Sequence, residues 1–262
     1  MPDDPTQPHP HRDSVGRALV TGASRRVGRA IAVELARSGF DLALTYRADR
    51  ANCEETARIA TIAARAEGHA VRVEVSQLDL NDAAAVERFA QTAAGQPLDA
   101  LIHNASTYRE TPFGSITEAD FAEMYRVEVV SPCLLTQALA PALRRARLPI
   151  GGSVVFFSDI HALGRARPHF TPYLVAKAAV QSLAAQMAVE LAPDVRVHCI
   201  APGVIAWPDG FPEEAKPPIM SRTPLARAGT PEEAAKLVRF LVLEASYLSG
   251  DTIRIDGGRG LR

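Results

Sequence analysis

The sequence predicts an α/β fold: one domain on a doubly wound parallel sheet of about seven strands, with helices on both faces. Three observations predict it. Segments of strand character alternate with segments of helical periodicity from residue 16 to the C-terminus. The second strand, residues 41–46, is apolar enough to lie in a covered parallel sheet, and no composition break marks a second domain. Such alternation implies right-handed crossovers and a ligand at the carboxyl ends of the strands.

The first unit covers residues 19–35, where a short apolar strand ends at Thr21 and the chain turns through residues 22–28. An amphipathic helix follows, with Val27, Ile31 and Leu35 on one face. Gly39 ends that helix, and residues 41–46 read as the second strand. A helix over residues 51–67 stops at Gly68, and residues 70–75 alternate as the third strand. Asn81 or Asp82 caps a helix carrying Val86 and Phe89, terminated by Gly95, before a fourth strand over residues 98–104. Thr117 and Asp120 suggest a capping box for a long helix through Met124, Val127 and Leu134, kinked at Pro132. A fifth strand spans residues 154–158. Thr171, read as an N-cap with Pro172 at the first helical position, opens a helix to Leu191. A sixth strand covers residues 195–201, Thr230 and Glu233 cap another helix, and residues 252–255 form the last strand. The proline-rich run from residue 202 to 223 is expected to be a substrate loop with at most a short helix.

Composition narrows the function. A chain of 262 residues with 47% hydrophobic and 23% charged residues suits an ordinary globular protein. Its net charge of −1 argues against a nucleic-acid or anionic-membrane surface. Residues 1–15, rich in proline and histidine, are expected to be a disordered tail ahead of a domain over residues 16–262; they lack the apolar core of a secretory signal. The cysteines Cys53, Cys133 and Cys199 have no metal-ligand spacing, so no metal is expected and a reducing cytoplasm fits best.

The turn over residues 22–28 is suited to phosphate. A helix start offers free backbone N–H groups and the positive end of its dipole, and glycine lets a pyrophosphate approach the main chain. Tyr173 and Lys177 stand four residues apart on one helix face, next to the end of the fifth strand at Ser158 and Asp159. A tyrosine ionises near pH 10, and a nearby ammonium favours the phenolate; lowering that pKa by about three units needs about 4 kcal/mol.

Thr21-Gly22 with Gly28, Asn104-Ala105-Ser106, Tyr173 with Lys177, Pro202-Gly203 and Asp256-Gly257-Gly258 together resemble the short-chain dehydrogenase/reductases, and the match covers nearly the whole chain. The resemblance implies a Rossmann-type fold and hydride transfer between a nicotinamide and a carbonyl or imine. Tyr173 would transfer the proton, while Lys177 would bind the nicotinamide ribose and lower the tyrosine pKa. Gly22, Ser24, Arg25, Arg26, Val27, Asp79, Leu80, Asn104, Ala105, Ser106, Pro202 and Gly203 would contact the dinucleotide. The second strand ends Thr45-Tyr46-Arg47 where an NAD enzyme usually carries an acid, so Arg47 and Arg25 point to a 2′-phosphate and NADPH; Asp49 keeps NAD as the alternative.

Departures from the family pattern suggest a branch. Arg26 replaces the middle glycine of the turn and Asp159 replaces a serine, a combination that resembles the pteridine and dihydromonapterin reductases. The resemblance then implies a pterin or dihydropterin contacted by Arg26, Ser106, Tyr108, Asp159 and Tyr173, with Tyr108 stacking on the ring and a desolvated Asp159 donating a proton. Asp159 lies one residue further from Tyr173 than expected, so Ser158 is the alternative facing residue, and Glu128 stands where an asparagine often supports a proton relay. The other readings are a reductase of a ketone, such as a 3-oxoacyl thioester or sugar, and an NADPH-binding protein without turnover. The family also implies a homotetramer packed through the helices around Met124 and Ala184.

Overall fold

The computed structural model describes residues 14–207 and 210–261. Apart from Ser14 and Val15, the expected disordered tail lies outside the described residues, as does Pro208 of the substrate loop.

Seven parallel strands form one sheet in the order β3-β2-β1-β4-β5-β6-β7. In chain order the elements are β1 (Gly16–Val20), α1 (Arg26–Arg37), β2 (Phe40–Tyr46), α2 (Arg50–Ala66), β3 (Val73–Gln77), α3 (Ala83–Ala94) and β4 (Ala100–His103). There follow α4 (Glu118–Tyr125), α5 (Ser131–Leu143), β5 (Gly152–Phe157), α6 (Thr171–Leu191), β6 (Val195–Pro202), α7 (Lys216–Met220), α8 (Pro231–Leu243) and β7 (Thr252–Ile255). Strand β1 lies between β2 and the central strand β4, with Val20 paired to Leu44 of β2 and to Ile102 of β4. The chain winds outward in both directions from that point, which leaves a crevice above the carboxyl ends of β1 and β4.

Two apolar layers sandwich the sheet. Ile31 and Leu35 of α1 meet Val238 and Leu241 of α8 on one side; Val86 of α3, Leu135 and Leu139 of α5, and Val180 and Ala184 of α6 fill the other. Full burial of one such large side chain contributes roughly 1.5–3 kcal/mol, so these layers carry most of the fold's stability. Strand β4 is buried throughout because both faces are covered.

Local signals hold at several helix ends. Asp82 caps α3 through the Ala84 and Ala85 N–H groups, and Thr117/Asp120 and Thr230/Glu233 are both reciprocal capping boxes. Others differ. Strand β3 begins at Val73, later than expected, because its pairing is set by β2, where Leu42 meets Val73. Phe170 occupies the N-cap of α6 without a side-chain bond, so Thr171 is its first helical residue. The long helix is not simply kinked at Pro132: a π-helical turn, Arg126–Val130, joins α4 to α5 and leaves proline in the first turn of α5. That widening accommodates a residue without an N–H and directs Glu128 inward. The substrate loop carries a short 3-10 turn, Glu213–Ala215, followed by α7.

Met124 and Ala184 are fully buried inside this one chain. No helix among the described residues is long and apolar enough to cross a membrane.

Candidate active site

The glycine turn between β1 and α1 is held from below by the segment after β4. Asn104 Nδ2 donates to the Thr21 and Gly22 carbonyls at 3.0 and 2.9 Å, and the Asn104 and Ala105 N–H groups both donate to Thr21 Oγ1 at 3.1 Å. A Cβ on Gly22, at φ +66°, would stand 2.8 Å from Ala105 Cα, and one on Gly28 would stand 2.3 Å from the Gly22 carbonyl oxygen. Only glycine fits either position. Asn104 and Ala105 thus shape the cradle through its backbone. Arg29, which the sequence did not single out, ties the turn to α2 by donating to the Ser24 carbonyl at 2.8 Å and to Thr56 Oγ1 at 3.0 Å.

The cradle fits a dinucleotide pyrophosphate. Arg25 at the N-cap of α1 makes no side-chain capping bond, and no acid lies in the first helical turn, so the helix start suits an anion. Arg26 follows at φ +50°, a left-handed conformation that glycine adopts at far lower cost. At the end of β2, Arg47 is exposed, whereas Asp49 turns into α2 and accepts from Asn52 N and Nδ2 at 3.1 and 2.8 Å. Ser24 Oγ donates to the Asp49 carbonyl at 2.9 Å. Asp79 Oδ1 accepts from the Asn81 N–H at 2.9 Å as an ordinary turn residue, and Leu80 is buried, its carbonyl taken by Ser131 Oγ at 2.6 Å.

Lys177 on α6 is buried, and its ammonium donates to Glu128 Oε2 and to the Phe157 carbonyl, both at 2.7 Å. Glu128 Oε1 in turn accepts from Ser106 Oγ at 2.6 Å and the Thr107 N–H at 3.1 Å. Glu128 is therefore a fully engaged buried carboxylate, and the Ser106 hydroxyl is directed at it. Tyr173 Oη donates to Asp159 Oδ2 at 3.3 Å, while its ring centroid lies 5.7 Å from Lys177 Nζ. Burial, then the Asp159 and Glu128 charges, push the Tyr173 phenol well above its ordinary value of 10.0. This reverses the expected lowering by Lys177, whose charge is matched by Glu128.

The geometry also separates Ser158 from Asp159. Ser158 is buried, donates to the Lys177 carbonyl at 2.8 Å and accepts from Gln181 Nε2 at 2.9 Å. Asp159 is the residue at the tyrosine hydroxyl. It is half-buried, and its Oδ1 accepts the His161 N–H at 2.8 Å. His103 is structural: it stacks on Phe156 at 4.7 Å, its Nε2 lies 2.8 Å from Thr136 Oγ1, and burial lowers its pKa to about 3.

A cleft of about 540 Å³ opens at this end of the sheet, lined by Arg26, Val27, Tyr108, Asp159, Tyr173, Pro202 and Gly203 among others. Tyr108 stacks on Phe170 with centroids 4.8 Å apart, meets Tyr173 edge-on at 5.2 Å, and accepts from Arg167 at 2.6 Å. Gly203 closes the floor against Asp256, whose Cα would be 2.9 Å from an added Cβ. Arg165, Arg167, Arg222 and Arg259 line the same cleft and were not among the expected site residues; the arginines flanking Ala166 were the one visible hint.

Residues 22–259 match the family model described as enoyl-(acyl carrier protein) reductase. The chain is 34% identical over 255 residues to human dehydrogenase/reductase SDR family member 4, covering 92% of this chain and 86% of that protein. It is 31% identical over 247 residues to the 3-oxoacyl-[acyl-carrier-protein] reductase FabG of Staphylococcus aureus, covering 92% and 96%. The crystal structure of acetoin dehydrogenase YohF from Salmonella typhimurium superposes with a TM-score of 0.80 at 29% identity, covering 94% of this chain and 96% of that one. With the glycine cradle and the Tyr173–Lys177 pair in place on a seven-stranded parallel sheet, the chain belongs to the short-chain dehydrogenase/reductase family of oxidoreductases.

Proposed function

We propose that the protein is an NADPH-dependent reductase of a ketone. The observation that carries the reading is the buried Tyr173 hydroxyl, kept protonated at the cleft beside the Lys177–Glu128 pair. When bound, the dinucleotide supplies the hydride. Tyr173 donates its proton to the carbonyl oxygen as negative charge develops there, a role worth roughly 10²–10⁴ in rate. A phenol that holds its proton through neutral pH suits reduction better than oxidation. Lys177 has three donors; two are engaged by Glu128 and Phe157, and the third is left for the nicotinamide ribose. Arg47 and Arg25 favour a 2′-phosphate, with Asp49 committed to the start of α2. The relatives support a ketone, since their names describe a 3-oxoacyl reductase and an acetoin dehydrogenase.

A second reading, reduction of a pterin or dihydropterin, draws on Asp159. A carboxylate beside Tyr173 accepts hydrogen bonds, which suits a substrate with ring N–H or amino groups better than a bare carbonyl, and Tyr108 and Arg26 line the same cleft. The test is NADPH oxidation with acetoin, an acetoacetyl thioester and dihydropterins side by side. Ketone turnover that Tyr173→Phe abolishes while dinucleotide binding persists is the expected result; turnover of dihydropterins alone would transfer the assignment to the second reading.

A further inference from the structure

Besides Arg26, four arginines from three separate segments line the cleft that holds Tyr173. Arg165 and Arg167 come from the loop between β5 and α6, Arg222 follows α7, and Arg259 follows β7. Asp159 is the one carboxylate among the lining residues. Among the described residues none of the four arginines is paired with a carboxylate. Arg165 Nη1 donates to the Arg259 carbonyl, and Arg167 lies over the Phe170 ring at 4.3 Å while donating to Tyr108. Asp256, three residues before Arg259, is occupied by the Gly258 and Gly260 N–H groups at 2.9 and 2.6 Å. The Nε and Nη1 atoms of Arg259 are buried with no hydrogen-bond partner among the described residues.

This is an unbalanced arrangement. A buried guanidinium without an acceptor is costly, and like charges gathered in a partly desolvated cleft repel one another. Burial first, then Arg165, Arg167 and Arg222, lower the Arg259 pKa, and Asp159 alone opposes them. His161, also on the wall, is held below its ordinary 6.5, chiefly by burial and also by Arg259 and Arg167, against the pull of Asp159. A bound anion would resolve each of these costs, because guanidinium forks match the oxygens of carboxylate and phosphate.

We propose that this part of the cleft is an anion subsite centred on Arg259 and Arg222, so that the substrate is an anionic ketone bearing a carboxylate or a phosphate group. The inference rests on the reading of the Tyr173 cleft as the substrate site. The subsite is distinct from the glycine turn, which is reserved for the dinucleotide phosphates.

The test is calorimetry at low ionic strength on the full chain saturated with NADP⁺, so that the glycine turn is filled, titrated separately with malonate and with inorganic phosphate. At least one anion should bind, and Arg259→Gln should weaken it about tenfold or more, the loss expected for one charge-assisted contact. Arg222→Gln, at an exposed position where folding is not at issue, should weaken it in the same direction. Binding of malonate alone assigns a carboxylate; binding of phosphate alone assigns a phosphate. No binding of either anion, or binding that neither variant weakens, overturns the proposal. Binding of NADP⁺, recorded first, tests the reductase reading separately: its failure would sink that reading, while anion binding dependent on Arg259 would still uphold the subsite.

Discussion

Lys177 and Glu128, forty-nine positions apart in the chain, form an ion pair of 2.7 Å with both side chains almost wholly buried. The pair sits beneath Tyr173 and joins α6 to the π-helical turn that precedes α5. A buried charge left without its partner is far more costly than the pair is favourable. Lys177→Met alone should therefore destabilise the fold by about 3–5 kcal/mol, and combining it with Glu128→Gln should recover most of that loss. Urea denaturation of the two single variants and the double variant checks this; losses that simply add would show that the two residues do not act as a unit.

Ser158 and Asp159 are neighbours with separate tasks. Ser158→Ala removes the bonds to the Lys177 carbonyl and Gln181, so it should cost about 1 kcal/mol of stability and leave relative substrate preference unchanged. Asp159→Ser changes the group that meets the Tyr173 hydroxyl and should shift that preference. Steady-state kinetics over the substrate panel, beside thermal unfolding, separates the two; a changed preference in Ser158→Ala would contradict the geometry.

Arg26 holds a left-handed backbone at φ +50°. Arg26→Gly should relieve that strain and raise stability by about 1 kcal/mol while weakening ligand binding at the cleft that Arg26 lines. Equilibrium unfolding and the KM values report the two effects independently, and a variant less stable than the parent would show that side-chain contacts outweigh the strain.

His198 is buried with Nε2 lacking a partner among the described residues, and burial, with Arg196 adding to it, lowers its pKa to about 4. Its folded value is depressed, so its contribution is fully present above the unfolded value of 6.5 and is lost as pH falls from there towards 4. In that window the slope approaches about 1.4 kcal/mol per pH unit. His103, lowered to about 3, acts in the same sense over a wider range. His198→Leu should reduce the acid sensitivity by one proton's worth with little change at neutral pH, which denaturation series at several pH values would measure.

Arg47 is exposed at the end of β2 and makes the cofactor choice testable. Arg47→Ala should lower the NADPH-over-NADH preference in kcat/KM about tenfold, the value of one charge-assisted phosphate contact. An unchanged ratio would remove Arg47 from the reading.

The legible part of this protein was local. Alternating apolar periodicities gave the strands and helices, and the Thr117/Asp120 and Thr230/Glu233 pairs marked their helix starts because a capping box is closed within four residues. The Tyr173–Lys177 spacing was legible for the same reason, since one helical turn places both on one face. The role of Glu128 was not: its partners Ser106 and Lys177 lie on other elements, and its direction depends on a π turn that no short-range pattern specifies. The shift of β3 follows from the register of β2, and the choice between Ser158 and Asp159 follows from how β5 packs on α6. Sequence by itself determined the order of elements, the glycine cradle and the tyrosine–lysine pair, all fixed by neighbours in the chain. Tertiary structure alone decided the electrostatics: burial raised the Tyr173 pKa, matched Lys177 with Glu128, and gathered Arg165, Arg167, Arg222 and Arg259 on one wall. Charge acts through space and desolvation, and both are set only when the chain is folded.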